Sequence, residues 1–203
     1  MKKLLFFSLV GALLGFVPTY DTISKKERDF AVNLLKDTQQ GVFDAVKGLS
    51  DAQLKFKPAP DRWSVEECLK HIAVTEQALW HLTDSVLRSD PNPAKRADIK
   101  ATDEGIVKML ENRTTKVKTA DPFKPENTPY TSAEDALNSF KTNREKLISF
   151  MKETQDDLRN HVVALGALGS LDTYQMVLFI ASHSQRHTQQ INEVKADPNF
   201  PKN

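Results

Sequence analysis

The chain has 203 residues, of which 39% are hydrophobic and 27% charged, so it is long enough to bury the core of one globular domain. A formal net charge of +1 provides no basic field to attract nucleic acid, and the single cysteine, Cys68, excludes an intramolecular disulfide. Glycine is scarce and helix-forming residues are plentiful, which favours an all-α fold.

The first 20 residues have the form of a secretory signal peptide. Lys2 and Lys3 precede an uncharged apolar run over residues 4–17, which is shorter than the ~20 residues of a membrane-spanning helix. We therefore expect an exported protein, periplasmic or secreted, with no stable membrane span after cleavage. Retention by an uncleaved N-terminal anchor is the alternative, because no Ala-x-Ala cleavage site is present and Pro18 hinders cleavage directly before it.

Apolar residues at spacings of three and four predict a first helix over residues 24–47 and a second over residues 64–89. Gly48 ends the first helix, and residues 49–54 are predicted to form a brief turn. The stretch Ser64-Val-Glu-Glu67 matches a capping box at the start of the second helix. The buried stripes are predicted to comprise Phe30, Leu34, Leu35, Thr38, Val42 and Val46 in the first helix, and Val65, Leu69, Ile72, Leu79 and Val86 in the second.

The second half of the chain predicts a short amphipathic helix over residues 102–113, a proline-rich loop over residues 121–129 and two further long helices. A capping box, Thr131-Ser-Ala-Glu134, precedes the third long helix, and Asp172 caps the fourth, which runs to about residue 195. Residues 161–170 are predicted to form a glycine-containing turn between them. These elements predict one domain over residues 24–200, an all-α four-helix bundle with long crossover loops.

Two histidines, His183 and His187, lie four residues apart on the fourth long helix. At about 100° per residue, both fall within about 20° of Met176 at the centre of the apolar stripe. The opposite, solvated side is predicted to carry Ser182, Gln185 and Gln189. Burying two imidazoles costs free energy unless their nitrogens are bonded, and a pair at this spacing can converge on one metal ion. The alternative is that each imidazole bonds a carbonyl or carboxylate of another helix.

A metal site would need a third ligand, and three other histidines are present. His81 falls on the predicted solvent face of the second helix, and His161 falls in a turn. His71 lies at the flank of the buried stripe, beside Cys68 and Thr75, so periodicity allows it as a ligand without selecting it. Cys68 is predicted to be a small buried residue rather than a ligand or nucleophile.

Two stretches of the chain carry a resemblance to a known family. WSVEECLKHI, residues 63–72, is similar to the WSxxExxxH opening of the second helix in the DinB-like (YfiT-like) superfamily, and HSQRHTQQI, residues 183–191, is similar to its HxxRHxxQI motif. The resemblance extends over residues 30–200. It implies a four-helix bundle that holds one divalent metal ion through His71, His183 and His187, with zinc or nickel favoured and iron or manganese possible. It also implies a possible homodimer, and relatives include hydrolases, isomerases and thiol transferases.

Three imidazoles leave a coordination position open, which is typical of a catalytic site rather than a structural one. A metal ion there could activate a water or a thiol, and Glu76, Gln190 and Arg186 are candidates for a nearby base or proton shuttle by helix position. Glu76 could instead pair with a buried arginine or orient a ligand histidine.

Because low-molecular-weight thiols are chiefly cytosolic and export is expected, we favour metal-dependent hydrolysis of an unidentified small-molecule substrate over metal-dependent thiol transfer. A non-catalytic metal-binding or stress-related dimer is a second interpretation. A purely structural bundle, whose histidines bond protein groups, is a third.

Overall fold

The computed structural model describes residues 23–115 and 117–202, and these residues are predominantly helical. They form helices α1 (Lys25–Val46), α2 (Asp51–Lys55), α3 (Val65–Leu87), α4 (Asp103–Glu111), α5 (Ala133–Glu153) and α6 (Thr173–Lys195). Strands β1 (Val162–Ala164) and β2 (Ser170–Asp172) make a short antiparallel hairpin, with Val162 opposite Asp172. The predicted all-α bundle is confirmed. The signal peptide or anchor predicted for residues 1–20 lies outside the described residues.

The four long helices pack in the cyclic order α1–α6–α3–α5. Helices α1 and α3 therefore lie diagonally across the bundle, as do α5 and α6, although each pair is consecutive among the long helices. Helix α4, which belongs to the long α3–α5 connection, packs on α6. Because α1, α3 and α4 all contact α6, this helix is buried almost all round. None of the helices in the described part of the chain is both long and apolar enough to cross a membrane.

Side-chain caps fix where the helices begin. The predicted capping box of α3 is confirmed, since Glu67 N–H donates to Ser64 Oγ over 3.1 Å and Ser64 N–H donates to Glu67 Oε2 over 2.7 Å. Asp172 caps α6 as predicted, with Gln175 N–H donating to its Oδ1 over 2.8 Å. Each cap pairs backbone groups that the first helical turn leaves unbonded and contributes about 1 kcal/mol.

Three predictions of local structure are wrong. Residues 51–54, predicted as part of a turn, belong to the short helix α2, which ends at Lys55 and begins at the capping box of Ser50 and Gln53. The N-cap of α5 is Ser132 rather than Thr131, since Asp135 N–H donates to Ser132 Oγ and Thr131 N–H is bonded by the Asp135 carboxylate. Residues 161–170 do not form a simple turn. They form most of the β1–β2 hairpin, because strands β1 and β2 pair with each other before α6 begins.

Two predictions of burial also fail. Phe30 is 43% exposed, because the buried stripe of α1 passes through the smaller Ala31 and then through Leu35 and Thr38. Ser182, predicted on the solvated side of α6, is 0% exposed, because α6 is enclosed by three other helices. Helical periodicity locates one buried face, whereas the number of neighbouring helices decides how much of the remaining surface is covered.

Two apolar clusters flank the region where the site residues lie. One joins α1, α3, α5 and α6 and includes Leu69, Ile72, Phe140 and Ile191. The other joins α4, β2 and α6 and includes Ile106, Leu171, Met176 and Phe179. His183 follows Phe179 by one helical turn and His187 precedes Ile191 by one turn, so the two histidines lie on α6 between the clusters.

Candidate metal centre

Three histidine side chains from two helices meet inside the bundle. His71 lies in the second turn of α3, whereas His183 and His187 lie on successive turns of α6, which packs against α3. One ring nitrogen from each lies within 4.8 Å of the other two, and His71 Nε2 is 3.2 Å from His183 Nε2. His71 and His187 are 5% and 7% exposed, while His183 is half-buried. The three residues that the sequence and the resemblance indicated are therefore adjacent, and they could hold one metal ion.

Two of these imidazoles are oriented by hydrogen bonds on the side away from the cluster. His71 Nδ1 lies 2.7 Å from the carbonyl oxygen of Phe123, and His187 Nδ1 lies 2.9 Å from Oε1 of Gln190. Both partners are acceptors, so each Nδ1 donates its proton and each Nε2 keeps its lone pair. Outward bonds of this kind are the usual support of histidine ligands in metal sites.

Burial keeps the three imidazoles in the neutral form. Desolvation lowers the pKa of His71, and its bond to the Phe123 carbonyl opposes this effect. Desolvation lowers the pKa of His183 and of His187 well below the ordinary value, and the repulsion between the histidines adds to this effect. Because neutral imidazole is the form that binds metals, the donor set fits a divalent cation that accepts nitrogen ligands, such as zinc or nickel.

Aromatic rings pack against the histidine cluster on two sides. The Trp63 indole stacks on His187 with ring centroids 5.9 Å apart and lies 4.9 Å from the ring of His71. The Phe179 ring is parallel to that of His183 at 6.3 Å. These contacts restrict the imidazole rotamers and cover part of the site with apolar surface. Because His71 bonds the backbone carbonyl of Phe123, no residue type in the sequence could indicate this contact. Trp63, in contrast, belongs to the motif that contains His71.

The structure places Glu76 in a buried ion pair rather than in contact with a site histidine. Arg144 Nε and Nη2 donate to its two carboxylate oxygens over 2.8 and 2.6 Å, and the two residues are 0% and 3% exposed. Burial raises the pKa of Glu76, and the Arg144 guanidinium opposes that effect. Of the roles considered for Glu76 in the sequence, pairing with a buried arginine is therefore the one that these contacts match.

Gln190 and Arg186 have contacts typical of positioning residues. Gln190 accepts the Nδ1 proton of His187, as described above. Arg186 donates to backbone carbonyls of Leu110, over 3.1 Å, of Asn112, and of Thr115, over 2.7 Å. These bonds attach the carboxyl end of α4 to α6 beside the histidine cluster.

The remaining candidates lie apart from the cluster. Cys68 is 0% exposed and packs in the apolar core as a small buried residue. Desolvation raises the pKa of its thiol, which keeps it in the protonated form. His81 is exposed, as predicted. His161 is buried, and its Nδ1 lies 3.0 Å from the Val86 carbonyl, so its ring joins the hairpin region to the end of α3.

The protein is a four-helix bundle in which α3 and α6 together present three convergent imidazoles, an arrangement that can hold a metal ion. Residues 34–191 match the family model of the DinB superfamily, and the chain belongs to this superfamily. It is similar to the uncharacterized protein YuaE of Bacillus subtilis strain 168, with 22% identity over 164 residues, covering 81% of this chain and 96% of YuaE.

A solved structure shares the fold. It is that of YfiT from Bacillus subtilis, described as a probable metal-dependent hydrolase with an unusual four-helix bundle topology. The match has a TM-score of 0.60 and 15% sequence identity, and it covers 89% of this chain and 93% of YfiT.

Proposed function

We propose that the protein binds one divalent metal ion through His71, His183 and His187 and uses it to hydrolyse a small-molecule substrate. The observation that carries this proposal is the convergence of three neutral imidazole nitrogens within 4.8 Å of one another. The description of YfiT, which shares the fold, as a probable metal-dependent hydrolase supports the reaction class.

A divalent cation held by three imidazoles supplies Lewis acidity, which lowers the pKa of water toward neutrality. The chain's own residues prepare that position. The Phe123 carbonyl and the Gln190 amide orient two of the ligands, and Trp63 and Phe179 limit access of bulk water to the imidazoles. In this proposal Gln190 and Arg186 position the site, and Glu76 stabilises the bundle beneath it.

We further propose that the domain functions after export and that it forms a homodimer. The apolar run after Lys2 and Lys3 supports export, and the family resemblance supports the dimer. N-terminal sequencing of protein from cell fractions tests the first statement, and sedimentation tests the second. Intact N-termini in the cytoplasmic fraction would contradict export and would restore thiol transfer as a candidate reaction.

The first experiment is metal analysis of the protein purified without a histidine tag. Elemental mass spectrometry should find about one divalent ion per chain in the wild type, and His71→Ala and His183→Ala should each lose it. His81→Ala is the matched control, because His81 is an exposed histidine of the same helix as His71 and should leave the metal content unchanged.

Two outcomes would contradict parts of the proposal. If no metal binds even after zinc or nickel is added, the three histidines serve only the packing of the bundle. If metal binds but chelator-sensitive hydrolysis is absent across ester, amide and phosphoester substrates, the metal site stands without the catalytic role, as in a non-catalytic metal-binding protein.

A further inference from the structure

The two outward-bonded histidines differ in how firmly their tautomers are set. His71 Nδ1 donates to the backbone carbonyl of Phe123, which has no donor to offer in its place. His187 Nδ1 donates to the side-chain amide of Gln190, and rotation of that amide by about 180° would exchange its oxygen for an NH2 donor. A rotated Gln190 would donate to Nδ1 and leave the imidazole proton on Nε2, where it blocks binding of a metal.

Arg113 lies where it can prevent this rotation. Its Nη1 is 3.4 Å from Oε1 of Gln190, while its Nε and Nη2 donate to the two carboxylate oxygens of Glu193 over 3.0 and 2.8 Å. A guanidinium has five donors and no acceptor, so it is compatible only with an oxygen of Gln190 on that side. The 3.4 Å contact is long for a hydrogen bond, yet the positive charge still favours an amide oxygen over an NH2 group.

We propose that Arg113 is a positioning residue of the metal centre, which selects the amide orientation of Gln190 and thereby keeps Nε2 of His187 free of its proton. The importance of that nitrogen rests on the proposed function, but the tautomer itself is a property of the metal-free protein. Arg113 follows α4 in the α3–α5 connection and is 77 residues from Gln190 in the chain, so no sequence spacing relates the two.

The test compares Arg113→Met with Arg62→Met in the full chain. Arg62 is a matched control, because its guanidinium also lies near Glu193, at 3.6 Å, and its structural contacts do not include Gln190. The tautomer of His187 is read from the nitrogen-15 shifts of its imidazole in the metal-free protein, and zinc affinity is measured by chelator competition. Melting temperatures report any general loss of stability.

Arg113→Met should move His187 toward the Nε2-protonated tautomer and weaken zinc binding by about tenfold, as expected for a lost partner of a ligand histidine. Arg62→Met should change neither. Adding Gln190→Glu to Arg113→Met should restore the Nδ1-protonated tautomer, because a carboxylate can only accept, and zinc affinity should return toward the wild-type value. Arg113→Lys, which keeps a cation with donors only, should retain the wild-type tautomer and provides a gentler variant.

The proposal is overturned if Arg113→Met and Arg62→Met give the same His187 tautomer as the wild type, whatever their melting temperatures. It is also overturned if Gln190→Glu fails to rescue a tautomer that Arg113→Met has changed. If the wild type binds no zinc, the proposed function fails, while the tautomer comparison still decides the role of Arg113.

Discussion

Replacing Arg144 by Met should destabilise the bundle strongly, because this guanidinium has every donor bonded in the interior. It donates twice to Glu76, over 2.8 and 2.6 Å, and once each to the Leu35 carbonyl, Thr38 Oγ1 and Ser184 Oγ, over 2.9, 2.7 and 2.9 Å. These five bonds use all five N–H groups of an arginine. The network joins α1, α3, α5 and α6, and Ser184 directly follows the site residue His183.

The expected loss is about 3–5 kcal/mol of unfolding free energy, since Arg144→Met leaves the 3%-exposed carboxylate of Glu76 buried without its partner. The double variant Arg144→Met/Glu76→Met removes both charges and should lie within about 2 kcal/mol of the wild type. The two hydroxyls remain bonded in that variant, because Thr38 also donates to Leu34 O and Ser184 to Ala181 O.

Urea unfolding of the metal-free proteins measures the unfolding free energies of the single and the double variant relative to the wild type. Lys141→Met is the matched control, as an exposed cation of α5 that pairs with Glu145 at 4.0 Å, and it should change stability by less than about 1 kcal/mol. If Arg144→Met costs as little as Lys141→Met, or if the double variant is less stable than the single one, the buried pair does not stabilise the bundle in this way. A double variant that folds and binds metal but loses all hydrolysis would instead support a catalytic Glu76.

Three further outcomes follow from individual contacts. Burial alone would raise the pKa of Glu27, but hydrogen bonds from Ser24 and Arg159 lower it from 4.5 to about 2. The ionised carboxylate therefore stabilises the folded protein fully above about pH 4.5, and this contribution is lost as the pH falls toward 2. After allowance for solvent screening this amounts to about 1–2 kcal/mol, and Glu27→Gln should flatten the acid limb of a stability–pH curve; an unchanged limb would contradict this. The Cys68 thiol, 0% exposed and with its pKa raised by burial, should react with a disulfide reagent only when urea unfolds the protein, and rapid native labelling would disprove its burial. Ser64→Ala should cost about 1 kcal/mol in thermal unfolding without changing the metal content, and loss of metal would mean that this cap also positions α3 at the site.

Much of the fold was predictable because its signals are local. Capping residues such as Ser64 and Asp172 determine helix starts through bonds that span three residues. The apolar spacing of Val65, Leu69 and Ile72 identifies the buried face of α3. The failures have a physical cause as well. The spacing of three and four residues predicts that Phe30 is buried, whereas the buried stripe of α1 passes through Ala31 instead. The extent of burial of α6 depends on how many helices surround it.

The spacing of four residues places His183 and His187 on one face of any α-helix, so this part of the site could be predicted without a structure. Only the tertiary structure brings His71 of α3 to within 3.2 Å of His183, because the packing of α3 against α6 sets that distance. The same holds for the Glu76–Arg144 pair and for the Arg113–Gln190 contact, whose members are separated by 68 and 77 residues. Periodicity specifies the direction of a side chain from its own helix axis, and the relative placement of two axes depends on packing that no local pattern encodes.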